Sequence, residues 1–210
     1  MLCISIAEKE KNKILPLLQK AEMAEIRIEQ VGLSFDEISE IFASHNNLIA
    51  TCRPDTGLSD NERKKLLTTA IDAGAAWVDI EVESDKRYAD FLVSYAKSKN
   101  CKVIISYHNY KQTPDSSELK KIIDVCVNMK AELVKIATFV NIQKDVATLL
   151  GLYADNTNIL ALGMGDLGKI TRIAAVKLGA PFTFVSIDDN SKTAQGQISE
   201  SKMKKILEII

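Results

Sequence analysis

Apolar segments of strand length carry polar or charged residues at every second position, and they alternate with longer amphipathic segments of helix length. Together these two periodicities restrict the fold more than any other feature of the chain. Strand candidates cover 2–7, 24–29, 48–53, 77–82, 102–108, 132–138, 158–163 and 181–187, and helix candidates include 60–73, 86–99, 116–129 and 199–209. Strand side chains point alternately to two faces. In Glu25-Ile26-Arg27-Ile28-Glu29 the charges therefore share one face and the isoleucines the other. Val78-Asp79-Ile80-Glu81-Val82 repeats the pattern, and Ser106 and His108 lie opposite Ile105 and Tyr107. Strands of an open parallel sheet, covered by helices on both faces, read instead as unbroken apolar runs. A sheet with one wet face would tolerate the pattern, but the strand–helix alternation argues for parallel crossovers. A closed barrel satisfies both conditions, with the apolar face under helices and the polar face around a site. The expectation is a single-domain (β/α)8 TIM barrel over residues 1–210, with tight loops, because the fold usually takes roughly 250 residues. An open doubly wound sheet is the alternative.

The inward set inferred from this alternation holds Arg27, Arg53 and Lys135 against Glu25, Asp79 and Glu81, the near balance that a buried polar cluster requires. Glu29 adds an acid at a strand end. Lys135 stands out because its segment, Ala131-Glu132-Leu133-Val134-Lys135-Ile136-Ala137-Thr138, otherwise reads as a buried strand. A lone buried ammonium is costly unless it is paired or gives up its proton. The neutral amine is a nucleophile that condenses with ketones and aldehydes to Schiff bases. The blander reading is a strand-end lysine whose head reaches solvent.

The formal net charge of −1 supplies no basic surface for nucleic acid or an anionic membrane. No apolar run reaches the ~18 residues of a membrane span. The first residues, Met1-Leu2-Cys3-Ile4-Ser5-Ile6-Ala7, enter a strand without the basic start, apolar stretch and cleavage site of a signal peptide. Cys3, Cys52, Cys101 and Cys126 form no CxxC pair and read as reduced packing residues, so no zinc site is expected. These features point to a cytoplasmic protein.

Gly163-Met164-Gly165-Asp166-Leu167-Gly168 matches G-x-G-x-x-G and follows a strand, with Asp188 further on. A dinucleotide fold needs more βαβ units after that fingerprint, and only one strand candidate remains. The glycines read better as a tight turn at a strand end where backbone approaches ligand.

Seven motifs, in order and spread over the whole chain, resemble those of the type I 3-dehydroquinate dehydratases of the shikimate pathway. They are Ala24-Glu25-Ile26-Arg27, Thr51-Cys52-Arg53, Trp77-Val78-Asp79-Ile80-Glu81, Ser106-Tyr107-His108-Asn109-Tyr110, Leu133-Val134-Lys135-Ile136-Ala137, Gly163-Met164-Gly165 through Thr171-Arg172, and Thr193-Ala194-Gln195-Gly196-Gln197-Ile198. The resemblance implies dehydration of the small-molecule substrate 3-dehydroquinate to 3-dehydroshikimate, without metal or diffusible cofactor. It implies Lys135 as the Schiff-base nucleophile and His108 as general acid and base. It implies Arg172 as the carboxylate clamp, with Thr193 and Gln197 closing over that end, Glu25, Arg27 and Arg53 at the ring hydroxyls, and Met164 as an apolar wall. Asp79 and Glu81 fit a supporting role, and a homodimer is expected.

The chain also departs from the family pattern. The glutamate expected after Arg53 is absent from Pro54-Asp55-Thr56-Gly57-Leu58, leaving Asp55 as the candidate substitute for orienting His108. Asn109 replaces an aspartate, and Thr193 and Gln195 replace a serine and a proline. Two rival readings are another Schiff-base barrel lyase of aldolase or transaldolase type, which would usually need a phosphate site, and a catalytically weak ligand-binding barrel. His45 has no evident role.

Overall fold

The computed structural model describes residues 1–54 and 57–210. Its strands are β1 (Leu2–Ile6), β2 (Met23–Arg27), β3 (Leu48–Thr51), β4 (Trp77–Glu81), β5 (Lys102–Asn109), β6 (Leu133–Phe139), β7 (Ile159–Met164) and β8 (Thr183–Val185). All pair in parallel, in the order β7-β6-β5-β4-β3-β2-β1-β8. The sheet curls into a nearly closed (β/α)8 barrel whose hydrogen-bonded order begins at β7 and ends at β8. The helices are α1 (Lys11–Leu18), α2 (Ile28–Val31), α3 (Phe35–Ala43), α4 (Asp60–Asp72), α5 (Lys86–Ser98), α6 (Ser116–Asn128), α7 (Gln143–Gly151), α8 (Lys169–Lys177) and α9 (Glu200–Ile209). α8 packs on both β7 and β8 and so covers the seam between them.

Local chemistry sets the helix ends. Ser59 and Glu62 form a reciprocal capping box at the start of α4, and Ser34 and Glu37 do the same for α3. The expected helices 60–73, 86–99 and 116–129 each end one residue early, because Ala73, Lys99 and Met129 are their C-caps. The following residues, Gly74, Asn100 and Lys130, take left-handed backbone and stop propagation. The strands expected at 48–53 and 181–187 are shorter, Leu48–Thr51 and Thr183–Val185, and the one expected at 24–29 changes course. β2 ends at Arg27, and Ile28 and Glu29 belong to the helical turn α2. There the Glu29 carboxylate turns back to accept from Arg27 Nε at 2.7 Å, so it is not a rung of the inward ladder.

Period two divides each strand as the sequence predicts. Ile4, Ile26, Ala50, Val78, Ile80, Val103, Ile105, Val134, Ile136, Ile159 and Ala161 face outward into the shell of helices, joined by Leu67, Ala70 and Ile71 of α4. The inward face is layered along the barrel axis. At the N-terminal ends of the strands Cys3, Met23, Ile49, Ile104, Leu133, Leu160 and Phe182 close the floor, with Phe182 edge-on to Trp77 and Phe184. Burying each such side chain contributes on the order of 1.5–3 kcal/mol. One pleat higher the same strands carry Ser5, Glu25, Thr51, Asp79, Ser106 and Lys135, all buried. The barrel is thus an apolar cup with a polar upper interior at the C-terminal ends of its strands, where such barrels hold their sites.

Candidate active site

Lys135 lies near the middle of β6, directly above the apolar floor, and is 6% exposed. Its Nζ donates to Asp79 Oδ2 at 3.0 Å, stands 4.0 Å from Glu25 Oε1, and lies 4.4 Å from the centroid of the Phe184 ring. The lysine is therefore paired and does not reach bulk solvent along the strand. The blander reading of a solvent-seeking strand-end lysine does not hold here.

The partners of Lys135 are held in turn. Asp79 accepts from Arg53 Nη1 at 3.0 Å, from Arg53 Nη2 at 2.7 Å and from Ser106 Oγ at 2.5 Å. Burial pushes the Asp79 carboxyl up, but Arg53 and Lys135 outweigh it and hold the group far below the usual range. Glu25 accepts from Ser5 Oγ at 2.8 Å and Thr51 Oγ1 at 2.9 Å. Its carboxyl is raised by burial and lowered by Lys135, Arg27 and Arg53, and the cations win. Both acids are thus fixed as carboxylates around the amine.

One member of the expected interior set pairs elsewhere. Arg27 sits at the cavity wall, bound to Glu29 through Nη2 at 2.6 Å. The cation in its place is Arg63 of α4, 3% exposed, whose Nη2 reaches Glu81 Oε2 at 3.0 Å. Sequence reasoning missed it because helical position 63 reads as one more charge on a polar helix surface. It also missed the hydroxyls of Ser5 and Thr51 and the ring of Phe184, whose only signal was inward parity on their strands.

A cavity of about 280 Å³ opens above the lysine. Every residue expected at the site lines it: Lys135, His108, Glu25, Arg27, Arg53, Met164, Arg172, Thr193 and Gln197. His108, near the end of β5, stacks on Tyr110 with ring centroids 6.1 Å apart and makes no hydrogen bond among the described residues. Burial, followed by the charges of Arg53 and Lys135, pushes its pKa well below the ordinary imidazole value, against the opposing pull of Asp79. The ring is accordingly neutral at pH 7 and able to accept a proton. Asp55, the candidate for orienting it, lies outside the described residues. Asn109 does without the acid usual at its position. Its Oδ1 accepts from Lys111 and Gln112 backbone N–H groups, and its Nδ2 donates to Tyr107 Oη, which fixes the turn after the histidine.

Arg172 lies on α8, 2% exposed, with no acid paired to it among the described residues. Among the described residues its Nε is buried without a partner, and Nη2 makes one long contact, 3.4 Å, to the Gln195 carbonyl. Desolvation alone lowers its pKa from 12.5 to about 10, so it stays protonated at neutral pH. A buried guanidinium with an idle donor, lining a cavity, has the geometry to receive the planar fork of a carboxylate. The loop over it is held by Gln197, whose Oε1 accepts from Thr193 N at 2.9 Å and Thr193 Oγ1 at 3.2 Å.

The glycines of the 163–168 turn make the tight turn expected at the end of β7 and let backbone pack closely there. A Cβ on Gly163 would lie 2.7 Å from Gly168 Cα, and one on Gly196 would lie 2.4 Å from the Gly165 carbonyl oxygen. The turn can fold on itself because Gly163 lacks a side chain, and the closing loop can seat on it because Gly196 does. His45, for its part, clasps the backbone between Ala21 and Asn47.

Among the described residues no group of three or more His, Cys, Asp or Glu could hold a metal ion, and no helix is long and apolar enough to cross a membrane. All four cysteines are buried and free.

Comparison with known proteins identifies the family. The family model described as type I 3-dehydroquinase matches residues 2–210. The chain is 31% identical to the 3-dehydroquinate dehydratase of Methanococcus maripaludis (strain C5 / ATCC BAA-1333), covering the full length of both. Among solved structures it superimposes on the 3-dehydroquinate dehydratase of Aquifex aeolicus VF5 with a TM-score of 0.85 at 25% identity, covering 100% of this chain and 98% of that one. The type I 3-dehydroquinate dehydratase of Clostridium difficile, solved with covalently modified comenic acid, gives a TM-score of 0.87 at 24% identity, over 99% of this chain and 90% of that one. This second likeness bears on the fold.

Proposed function

The chain belongs to the type I 3-dehydroquinase family and is an enzyme of the 3-dehydroquinate dehydratase kind, and on that premise we propose that it dehydrates its substrate through a Schiff base on Lys135 with His108 moving the protons. The observation that carries this reading is one cavity lined by three complementary groups: a buried lysine held between carboxylates, an imidazole kept neutral, and a buried guanidinium with an idle donor. The substrate supplies the matching parts, a ketone, an acidifiable neighbouring carbon with a hydroxyl one carbon further on, and a carboxylate.

In the proposed sequence the Lys135 amine adds to the ketone carbon and water leaves, giving an iminium. The iminium draws electron density from the neighbouring carbon, and neutral His108 takes the proton there. The enamine that results pushes out the hydroxyl, which leaves as water with the proton from His108. Water then hydrolyses the product imine and frees Lys135. Arg172 holds the carboxylate with Gln197 and Thr193 above it, Glu25, Arg27 and Arg53 meet the ring hydroxyls, and Met164 packs on the apolar side. Asp79 and Glu81 act from behind, through Arg53 and Lys135. The same proposal includes a homodimer, for which exposed Ile170 and Leu178 at α8 offer apolar surface, and sedimentation would test it.

The direct test is the intact mass of the protein after mixing with 3-dehydroquinate and borohydride, followed by peptide mapping. The expected result is a reduced adduct on Lys135 that Lys135→Ala abolishes and His108→Ala retains while turnover stops. Normal turnover by Lys135→Ala would overturn the mechanism.

A further inference from the structure

Arg63 belongs to none of the groups that meet the substrate, yet the site is anchored to it. Its Nε and Nη2 both donate to the Cys52 carbonyl, at 3.0 and 2.8 Å, and Nη2 also donates to Glu81 Oε2 at 3.0 Å. Nη1 reaches Asp60 Oδ1 at 3.1 Å at the start of its own helix, and the guanidinium carbon lies 4.9 Å from the centroid of the Tyr88 ring on α5. The two inner acceptors share one target. Cys52 is the residue immediately before Arg53, beyond the last rung of β3. Glu81 grips the Arg53 guanidinium through Nη1 at 2.5 Å. Arg63 therefore fixes Arg53 at both ends, its backbone and its charged head. From Arg53 the chain of contacts passes to Asp79 and on to Lys135 Nζ.

Arg63 stands back from the space above the lysine. Arg63 is absent from the lining of the cavity above Lys135. It lines a second cavity of about 340 Å³ that shares Arg53, His108 and Tyr110 with the first. Arg53 thus stands between the two spaces, where its conformation is not set by packing alone. We propose that Arg63 is a positioning residue for the dehydration, which holds Arg53 in the orientation that receives the substrate's hydroxyl groups. A guanidinium suits the task because one planar fork spans a carbonyl and a carboxylate at once; an ammonium matches the charge but not both directions.

The inference rests on the proposed function, and its test separates the two. Arg63→Met, Arg63→Lys and Leu67→Ala are made in parallel, the last removing a buried side chain from the same helix without touching the network. Wild-type enzyme must first give the borohydride adduct with 3-dehydroquinate; its absence would defeat the functional reading and not bear on Arg63. With the adduct in hand, KM is expected to rise about tenfold or more in Arg63→Met, the scale on which losing an orienting partner is felt. kcat should change less, and Arg63→Lys should recover part of the loss. Leu67→Ala should unfold at lower urea and keep the wild-type KM. Should Arg63→Met fail to fold, Arg63→Lys alone still decides, since its KM must exceed that of wild type. A wild-type KM in the folded Arg63 variants, or an equal rise in Leu67→Ala, would reduce Arg63 to a structural residue.

Discussion

Replacing Arg172 by methionine should make the empty enzyme more stable and the working enzyme far worse. Burial lowers the pKa of Arg172 from 12.5 to about 10 with no acid to compensate. The unfolded chain therefore binds this proton more tightly than the folded one. The penalty is present in full at every pH below about 10 and fades only as the pH climbs toward 12.5, so it acts throughout the neutral range. At about 1.4 kcal/mol for each pH unit of the difference, holding the charge costs the fold about 3 kcal/mol. Methionine fills similar volume without the charge, and the contact it removes, the 3.4 Å one to Gln195, is too long to contribute much. Urea unfolding at pH 7 should show a midpoint displaced upward with an unchanged slope, by an amount up to that figure. The same variant should raise KM by roughly a hundredfold, the effect of removing one partner of a buried, hydrogen-bonded charge pair. Stability would then have been given up for function at a single side chain. A variant that unfolds at lower urea than wild type and keeps its KM would refute the reading of Arg172 as an unsatisfied anion receptor.

Two further outcomes can be measured with the same instruments. Because the folded-state pKa of His108 is depressed, the unfolded chain gains a proton first as the pH falls below about 6.5, and the native state should lose up to about 1.4 kcal/mol per pH unit from there; His108→Ala should flatten this limb between pH 6.5 and 5, and an unaltered limb would place the sensitivity elsewhere. Gly196 has a φ of 75° and no room for a Cβ, so Gly196→Ala should unseat the closing loop, raising KM in steady-state assays while leaving the borohydride adduct on Lys135 obtainable at high substrate; a wild-type KM would show that the loop does not need that contact.

The barrel was legible because strand parity survives folding intact. Ile26 against Glu25 and Ile80 against Asp79 say which face meets helices and which faces inward before any coordinate is known. The positions of Lys135, His108 and Arg172 followed from motifs whose order matched a family. Legibility stopped where a side chain's direction depends on partners distant in sequence. Glu29 continues the alternation of Glu25 and Arg27 on paper, but the chain turns into α2 and the carboxylate folds back. Arg63 sits in Asp60-Asn61-Glu62-Arg63-Lys64-Lys65, a stretch that reads as solvated helix surface. Only the approach of α4 to the mouth of β3 reveals that one of those charges points inward.

Placing Arg63 in the network changes the charge balance and makes it explain the site. Arg53, Arg63 and Lys135 stand against Glu25, Asp79 and Glu81, and Arg27 against Glu29. Each of these ions has an opposite partner within the barrel, which is the condition for keeping charges out of water. Arg172 is the remainder, and it has no counterpart among the described residues. A barrel selected for stability alone would have supplied one or dispensed with the charge. This imbalance is what the proposed role of Arg172 as the carboxylate clamp would account for. The balanced network, for its part, shares its carboxylates with the amine, so that under the proposed mechanism the surrounding charges need not be rebuilt when Lys135 reacts. Preorganisation of this kind is worth most where water is excluded, and the apolar floor beneath Lys135, closed by Phe184 and Leu133, is what excludes it from below.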